Sequence, residues 1–125
     1  MTFKIMSKKT LVLGASLKPE RYSNIATKRL TKHGHEVALI GLREGQVEGI
    51  DIQKGTPEIE GVHTVTLYLN PKRQVPYYDY ILSLQPKRII FNPGTENPEL
   101  VQLAQAQGIE TEIACTLVML ATEVY

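Results

Sequence analysis

Five times along this chain a short aliphatic or β-branched run gives way to a turn and then to residues spaced for a helix. Thr10 to Ser16 is the first such run, closed by Gly14-Ala15-Ser16. Glu36 to Gly41, Val62 to Leu69, Lys87 to Phe91 and Ile109 to Ala114 are the others. Between them, Tyr22 to His33 sets Tyr22, Ile25, Ala26 and Leu30 on one helical face, and Gly34 ends that helix. Val75, Tyr78, Ile81 and Leu82 form the next stripe, with Pro76 fitting only in a first turn, where its missing N–H costs little. Asn97-Pro98-Glu99 starts a helix with a capping Asn, a Pro at the first position and an acid in the first turn; Gly108 ends it. Thr116 to Thr122 closes the chain as a short helix. Residues 42–61, with four glycines and one proline, read as loop with a short strand near Ile52.

Strands that alternate with helices specify a parallel sheet covered on both faces through right-handed crossovers. The expected fold is α/β: a Rossmann-like, three-layer, doubly wound five-stranded parallel sheet. With 125 residues it is a single domain over 9–125 behind a tail at 1–8, able to bury about two-thirds of its unfolded surface without staples. A lone cysteine, Cys115, forms no internal disulfide, and the start of the chain carries lysines but no apolar run of signal-peptide length. Ile113 to Ala121, the longest apolar stretch, is too short to span a bilayer, so a cytoplasmic location is expected.

In this architecture ligands sit at the carboxyl ends of the strands, where strand order reverses. The residues there are Gly14 to Ser16, Ile40 to Arg43, Leu69 to Pro71, Asn92 to Gly94 and Cys115. A phospho-acceptor receiver needs acids after the first strand and an aspartate after the third; Gly14-Ala15-Ser16 and Leu69-Asn70 exclude it. A flavin site wants a hydroxyl-rich loop and aromatic walls, whereas the chain has no Trp and offers only Ser16 and Ser23. A dinucleotide fingerprint is missing as well: Gly14 is alone in its turn, and the second strand ends Gly41-Leu42-Arg43 instead of in an acid. Arg43 favours a ribose phosphate over a ribose diol, so NADP fits better than NAD.

Charge points the same way. A net charge of +1 excludes the broad basic footprint of a nucleic-acid binder. Residues 1–43 nevertheless hold nine Lys/Arg against two Glu, and residues 44–125 five against eleven acids. A positive first third suits an anionic ligand, although solvated faces that happen to differ in charge account for it equally well. Gly14 allows a backbone to approach a phosphate, Ser16 can donate a hydroxyl hydrogen bond, and the unpaired N–H groups near Tyr22, Ser23 and Asn24 make an anion seat flanked by Lys18 and Arg21.

The order Gly14-Ala15-Ser16-x-x-Pro19-x-Arg21-x-Ser23, then Asn92-Pro93-Gly94, then Cys115 resembles the small stand-alone CoA-binding proteins, which are similar to the nucleotide-binding domain of succinyl-CoA synthetase. The resemblance runs from Lys9 to Thr122. It implies coenzyme A or an acyl-CoA as ligand, with the diphosphate in the first loop and the adenosine across the ends of strands two to four. It also implies a ribose-phosphate contact at Arg43, and Leu69, Asn70, Pro71, Asn92, Pro93 and Gly94 bordering the rest. Gly41-Leu42 departs from the Asn-Pro that many members carry there, and Phe91-Asn92 from their aromatic-and-glutamine turn. No protein partner is implied, and the phosphohistidine domain of the synthetase has no counterpart. The expected role is that of a sensor or accessory protein without turnover; an NADP-dependent oxidoreductase, or an interaction module with a vestigial pocket, are the alternatives. His33, His35 and His63 lack metal-ligand spacing, so no metal is expected. Cys115 reads either as a small core hydrophobe or as a thiol at the ligand-facing edge, just before the last helix.

Overall fold

The computed structural model describes residues 7–125. Its strands are β1 (Thr10–Ala15), β2 (Val37–Gly41), β3 (Gly45–Val47), β4 (Ile50–Gln53), β5 (Thr64–Leu67), β6 (Arg88–Phe91) and β7 (Glu110–Ile113). The helices are α1 (Tyr22–Lys32), α2 (Pro71–Gln74), α3 (Tyr78–Ser83), α4 (Pro98–Ala106) and α5 (Thr116–Ala121). All seven strands form one sheet in the order β3-β4-β2-β1-β5-β6-β7. Every pairing is parallel except β3 with β4, so the parallel part is doubly wound about β1, as the alternation requires.

Two strands exceed the five expected. The segment near Ile52 is β4, pairing parallel to β2 through Leu39↔Ile52, and β3 folds back on it as an antiparallel edge. Both are short, and in the sequence their glycines mask any alternation.

The sheet faces segregate. Leu11, Leu13, Val65, Leu67, Ile89 and Phe91 pack under Ile81, Leu100 and Ala104 from α3 and α4. Val12, Leu39 and Ile90 pack on Leu30 of α1 and Met119 and Leu120 of α5. The expected single helix across Val75 and Tyr78 is broken. Asn70 accepts the Arg73 N–H at 3.0 Å and starts α2 at Pro71. A 3-10 turn over Val75–Tyr77 then takes in Pro76, whose missing N–H interrupts the ladder before α3. Asn97 caps α4 as its sequence implies, accepting the Leu100 N–H at 3.3 Å.

At the amino ends of the strands lies a polar layer beneath α1 and α5. Thr10, Thr64 and Arg88 are neighbours in register, and all three are buried. Tyr125 covers them: its hydroxyl donates to Thr10 Oγ1, and the Arg88 guanidinium lies 4.3 Å from its ring centre. Arg88 Nε donates to Thr64 Oγ1 at 2.8 Å. Residues 1–6 of the expected tail lie outside the described residues; Ser7 and Lys8 bond to the domain through the Glu36 N–H and the His35 Nδ1.

His35 Nδ1 accepts the Lys8 N–H at 3.0 Å, a role only the uncharged ring can play. Burial, then Lys8, His33, Arg88 and His63, hold the His35 pKa below its usual value. Burial, then Arg88, Lys8 and Lys87, do the same at His63 against a weaker opposing pull from Glu110. A depressed folded-state pKa means that the unfolded chain takes up the proton first as pH falls through about 6.5. Stability is therefore expected to be full above that pH and to decline on acidification toward the folded-state values. Melting temperatures between pH 7.5 and 5.5 check this, and the decline should be shallower in His35→Gln, whose amide oxygen can take the Lys8 N–H without titrating.

Candidate functional site

β1 is flanked by β2 and β5, whose connections leave it in opposite directions, so the crevice of the sheet opens at its carboxyl end. The pairing with β2 slips between Leu13 and Ala15 and realigns at Ala15↔Gly41. Gly14 is the residue in the slip, at φ +103°, and a Cβ there would sit 3.0 Å from the Tyr68 carbonyl carbon and 3.2 Å from Leu69 Cδ2. A side chain is thus excluded twice, by backbone conformation and by space. The kink directs Ser16 and the following loop out over the sheet edge.

Internal hydrogen bonds hold that loop. Ser16 Oγ accepts the Lys18 N–H at 3.1 Å, the Arg21 N–H donates to Lys18 O at 3.1 Å, and Asn24 Nδ2 donates to Ser16 O at 2.8 Å. Gly45, at the start of β3, leaves room for the Leu17 side chain, so the β3–β4 hairpin buttresses the loop. The hairpin lay beyond the reach of sequence analysis, and so did this support.

α1 begins here without a capping side chain at Arg21 and with no acid in its first turn. The Asn24 and Ile25 N–H groups both reach Arg21 O, at 3.0 and 3.1 Å. Among the described residues, those of Tyr22 and Ser23 have no acceptor. Exposed Lys18 and Arg21 stand beside them, with Glu20 the one acid of the loop. Arg43 is exposed two residues beyond Gly41, and the Ala15↔Gly41 pairing brings it to the same edge. Tyr22, 71% exposed, and Leu42 add apolar surface. An electropositive edge with free backbone donors can hold the phosphates of a nucleotide.

The other expected residues reach this edge in different roles. Leu69 packs against Gly14, and its carbonyl accepts from Gln74 Nε2 at 2.8 Å. Asn70 and Pro71 start α2. Asn92 is buried: Nδ2 donates to Thr66 Oγ1 at 2.6 Å and Leu67 O at 2.9 Å, and Oδ1 accepts the Thr116 N–H at 2.9 Å. Pro93 and Gly94 are exposed, and the Gly94 N–H donates to Glu96 Oε1 at 2.6 Å. Cys115 is half-buried just before α5. Tyr68, which the sequence did not single out, lies between β1 and α5; burial pushes its hydroxyl up to about 12, so it is neutral there.

Gln74 is the residue that sequence reasoning missed. It has no exposure, and Nε2 bridges Leu69 O and Thr95 O, both at 2.8 Å, while Oε1 accepts from Asn97 Nδ2 at 2.9 Å. It ties the turns after β5 and β6 together. A glutamine immediately before an apolar helical stripe was its only signal.

Neither of two open depressions is lined by a residue of the Gly14–Asn24 segment. One of about 530 Å³ has Lys9, Glu36, Asp51, Glu58 and Glu60 in its wall, and one of about 500 Å³ has Glu44, Asp51 and Lys54. Their predominantly acidic linings suit phosphate poorly. Among the described residues no three His, Cys, Asp or Glu side chains gather as a metal would require, and no helix is long and apolar enough to cross a membrane.

Among solved structures, an uncharacterized protein is 52% identical with a TM-score of 0.94, covering 97% of this chain and 100% of that one. A hypothetical protein from Pyrococcus horikoshii OT3 is 25% identical, with a TM-score of 0.83 over 94% of this chain and 84% of that one. A Thermus thermophilus protein, at 19% identity and a TM-score of 0.84 over 95% and 91%, shares the fold. No curated protein matches. A family model described as a CoA binding domain matches residues 8–121, a span that takes in the kinked glycine loop, the uncapped helix start and every strand end around them. On that match the chain belongs to the CoA-binding domain family.

Proposed function

We propose that this protein binds coenzyme A or an acyl-CoA across the carboxyl ends of β2, β1, β5 and β6, and serves as a cytoplasmic sensor or accessory protein without turnover of its own. The observation that carries the reading is the loop at Gly14-Ala15-Ser16, kinked at φ +103° and followed by an uncapped helix whose first two N–H groups have no acceptor among the described residues. The diphosphate sits on those donors beside Lys18 and Arg21, and Arg43 meets the ribose phosphate. The polar side chains nearest the crevice support binding over chemistry, because Asn70, Asn92 and Gln74 spend their hydrogen bonds on holding turns in place.

Thermal unfolding with CoA, acetyl-CoA, dephospho-CoA, NADP, NAD and FMN, each added separately, tests it. A ligand at a hundred times its dissociation constant stabilises by about 2.7 kcal/mol, which moves the midpoint by several degrees. CoA is expected to stabilise more than dephospho-CoA, and NAD and FMN not at all. Arg43→Ser should weaken CoA by about tenfold, the value of a charge-assisted hydrogen bond, and leave dephospho-CoA unchanged. A flat response to CoA would overturn the proposal, and stabilisation by NADP alone would transfer it to an oxidoreductase.

A further inference from the structure

β7 ends the sheet, and its outer side is unpaired. The N–H groups of Glu110 and Ala114 reach Lys87 O at 3.1 Å and Phe91 O at 3.2 Å, so the even-numbered positions of the strand face β6. Backbone direction alternates along a parallel strand, which turns the N–H and C=O groups of Thr111 and Ile113 outward. Among the described residues these four groups have no partner. Natural edges are commonly blunted with a Lys, a Pro or a bulge. None of these interrupts Glu110-Thr111-Glu112-Ile113, and its last side chain is an isoleucine left 70% exposed. The helix beside that edge is uncharged on the side it shows. Gln105 Nε2 donates to Thr111 Oγ1 at 3.1 Å, which puts Thr111, and Ile113 with it, on the α4 face of the sheet. Val101 and Gln102, four and three residues before Gln105, share its side of the helix. Glu99, the one charged residue of α4, lies off that side. Glu112 points to the opposite face, where its carboxylate lies 3.9 Å from the Arg88 guanidinium.

We propose that this edge is the interface of a homodimer, in which β7 pairs antiparallel with β7 of a second copy about a two-fold axis at Ile113. Charge selects the register. An axis at Glu112 sets that residue against its own mate, and an axis at Thr111 sets Glu110 against Glu112, so like charges stand directly opposite in both. An axis at Ile113 sets isoleucine against isoleucine and Glu112 against Ala114, and the two Ile113 residues exchange both N–H···O=C bonds. The edge is thus self-complementary, as an isologous contact between copies demands. Antiparallel extension keeps each face of the sheet continuous, so α4 lies beside its mate above the paired isoleucines. The stripe of Val101, Gln102 and Gln105 is what the two helices bury, and freedom from charge is the mark of an interface core. Strand pairing alone falls short of the roughly 1,200 Å² of a stable interface, and the helix pair extends it. The inference is independent of the CoA reading.

Sedimentation velocity of wild type and Ile113→Lys at micromolar concentrations tests it. Wild type should sediment as a dimer. Ile113→Lys opposes two ammonium groups across the axis, at a position exposed enough to leave the fold intact, and should weaken dimerisation at least tenfold. Wild type that stays monomeric at the highest concentration would overturn the proposal, leaving the edge to a strand of another protein or to none. A dimer that Ile113→Lys leaves unchanged would overturn the surface. Oxidative cross-linking in a Cys115→Ser background tests the register without disturbing charge. Ile113→Cys should form an interchain disulfide, because facing Cα atoms of such a pair stand about 5.5 Å apart, within disulfide reach. Thr111→Cys should not, since its mate lies about 14 Å away. Any other pattern of cross-links would overturn the pairing about Ile113.

Discussion

Replacing Gly41 by alanine should cost about 3 kcal/mol or more and lower the melting temperature by about 10 °C, the largest effect expected of any single methyl group in this fold. The added Cβ would lie 2.4 Å from the Ala15 carbonyl oxygen, 3.2 Å from its carbon and 3.1 Å from Ile52 Cγ2. The nearest obstruction is backbone, which cannot swing aside as a side chain can. Relief requires β1 to part from β2 at the point where their register realigns, next to the Gly14–Ser16 loop. Ligand affinity should therefore fall together with stability. Circular dichroism melts of Gly41→Ala with and without CoA measure both, and a melting temperature within 2 °C of wild type would refute the claim that these strands are in closest contact here.

Asn92→Ala is the second large effect, at about 3 kcal/mol. Its side chain makes three buried hydrogen bonds, which join the ends of β5 and β6 to the first N–H of α5. Truncation leaves the Leu67 carbonyl and the Thr116 N–H buried and unpaired, at roughly 1–3 kcal/mol each. The Thr66 and Thr116 hydroxyls, 2.8 Å apart, can retain each other and soften the loss. Chemical denaturation should show a lower midpoint with an unchanged slope, the mark of lost stability without a change in the surface exposed. The same measurement separates the two roles open to this residue. A ligand contact would leave the free protein as stable as wild type and weaken only CoA, whereas a structural hub destabilises the protein before any ligand is added.

Much of this architecture was legible because its signals are local. Leu11 to Leu13, Leu39 to Ile40 and Ile89 to Ile90 are aliphatic stretches buried on both faces of a parallel sheet, and such stretches announce themselves without reference to the rest of the chain. Asn97-Pro98-Glu99 carries its own capping chemistry. The hairpin at Gly45–Gln53 was not legible as two strands. β4 gains its partner from β2, and β3 exists only because β4 is there to pair with. Asn70 starts α2 four residues before the apolar stripe, and Pro76 then interrupts the ladder before α3.

At the crevice the same division holds. Sequence by itself determined the doubly wound sheet, its carboxyl edge, and the residue types that gather there, because periodicity and turn chemistry act over a few residues at a time. Tertiary structure alone decided how those residues are used. Gly14 and Gly41 are required by backbone that approaches from distant strands, and Asn92 and Gln74 are drawn inward to pair groups the sheet would otherwise bury unpaired. Burial and hydrogen-bond satisfaction depend on which segments the fold brings together across tens of residues, and no local pattern records that.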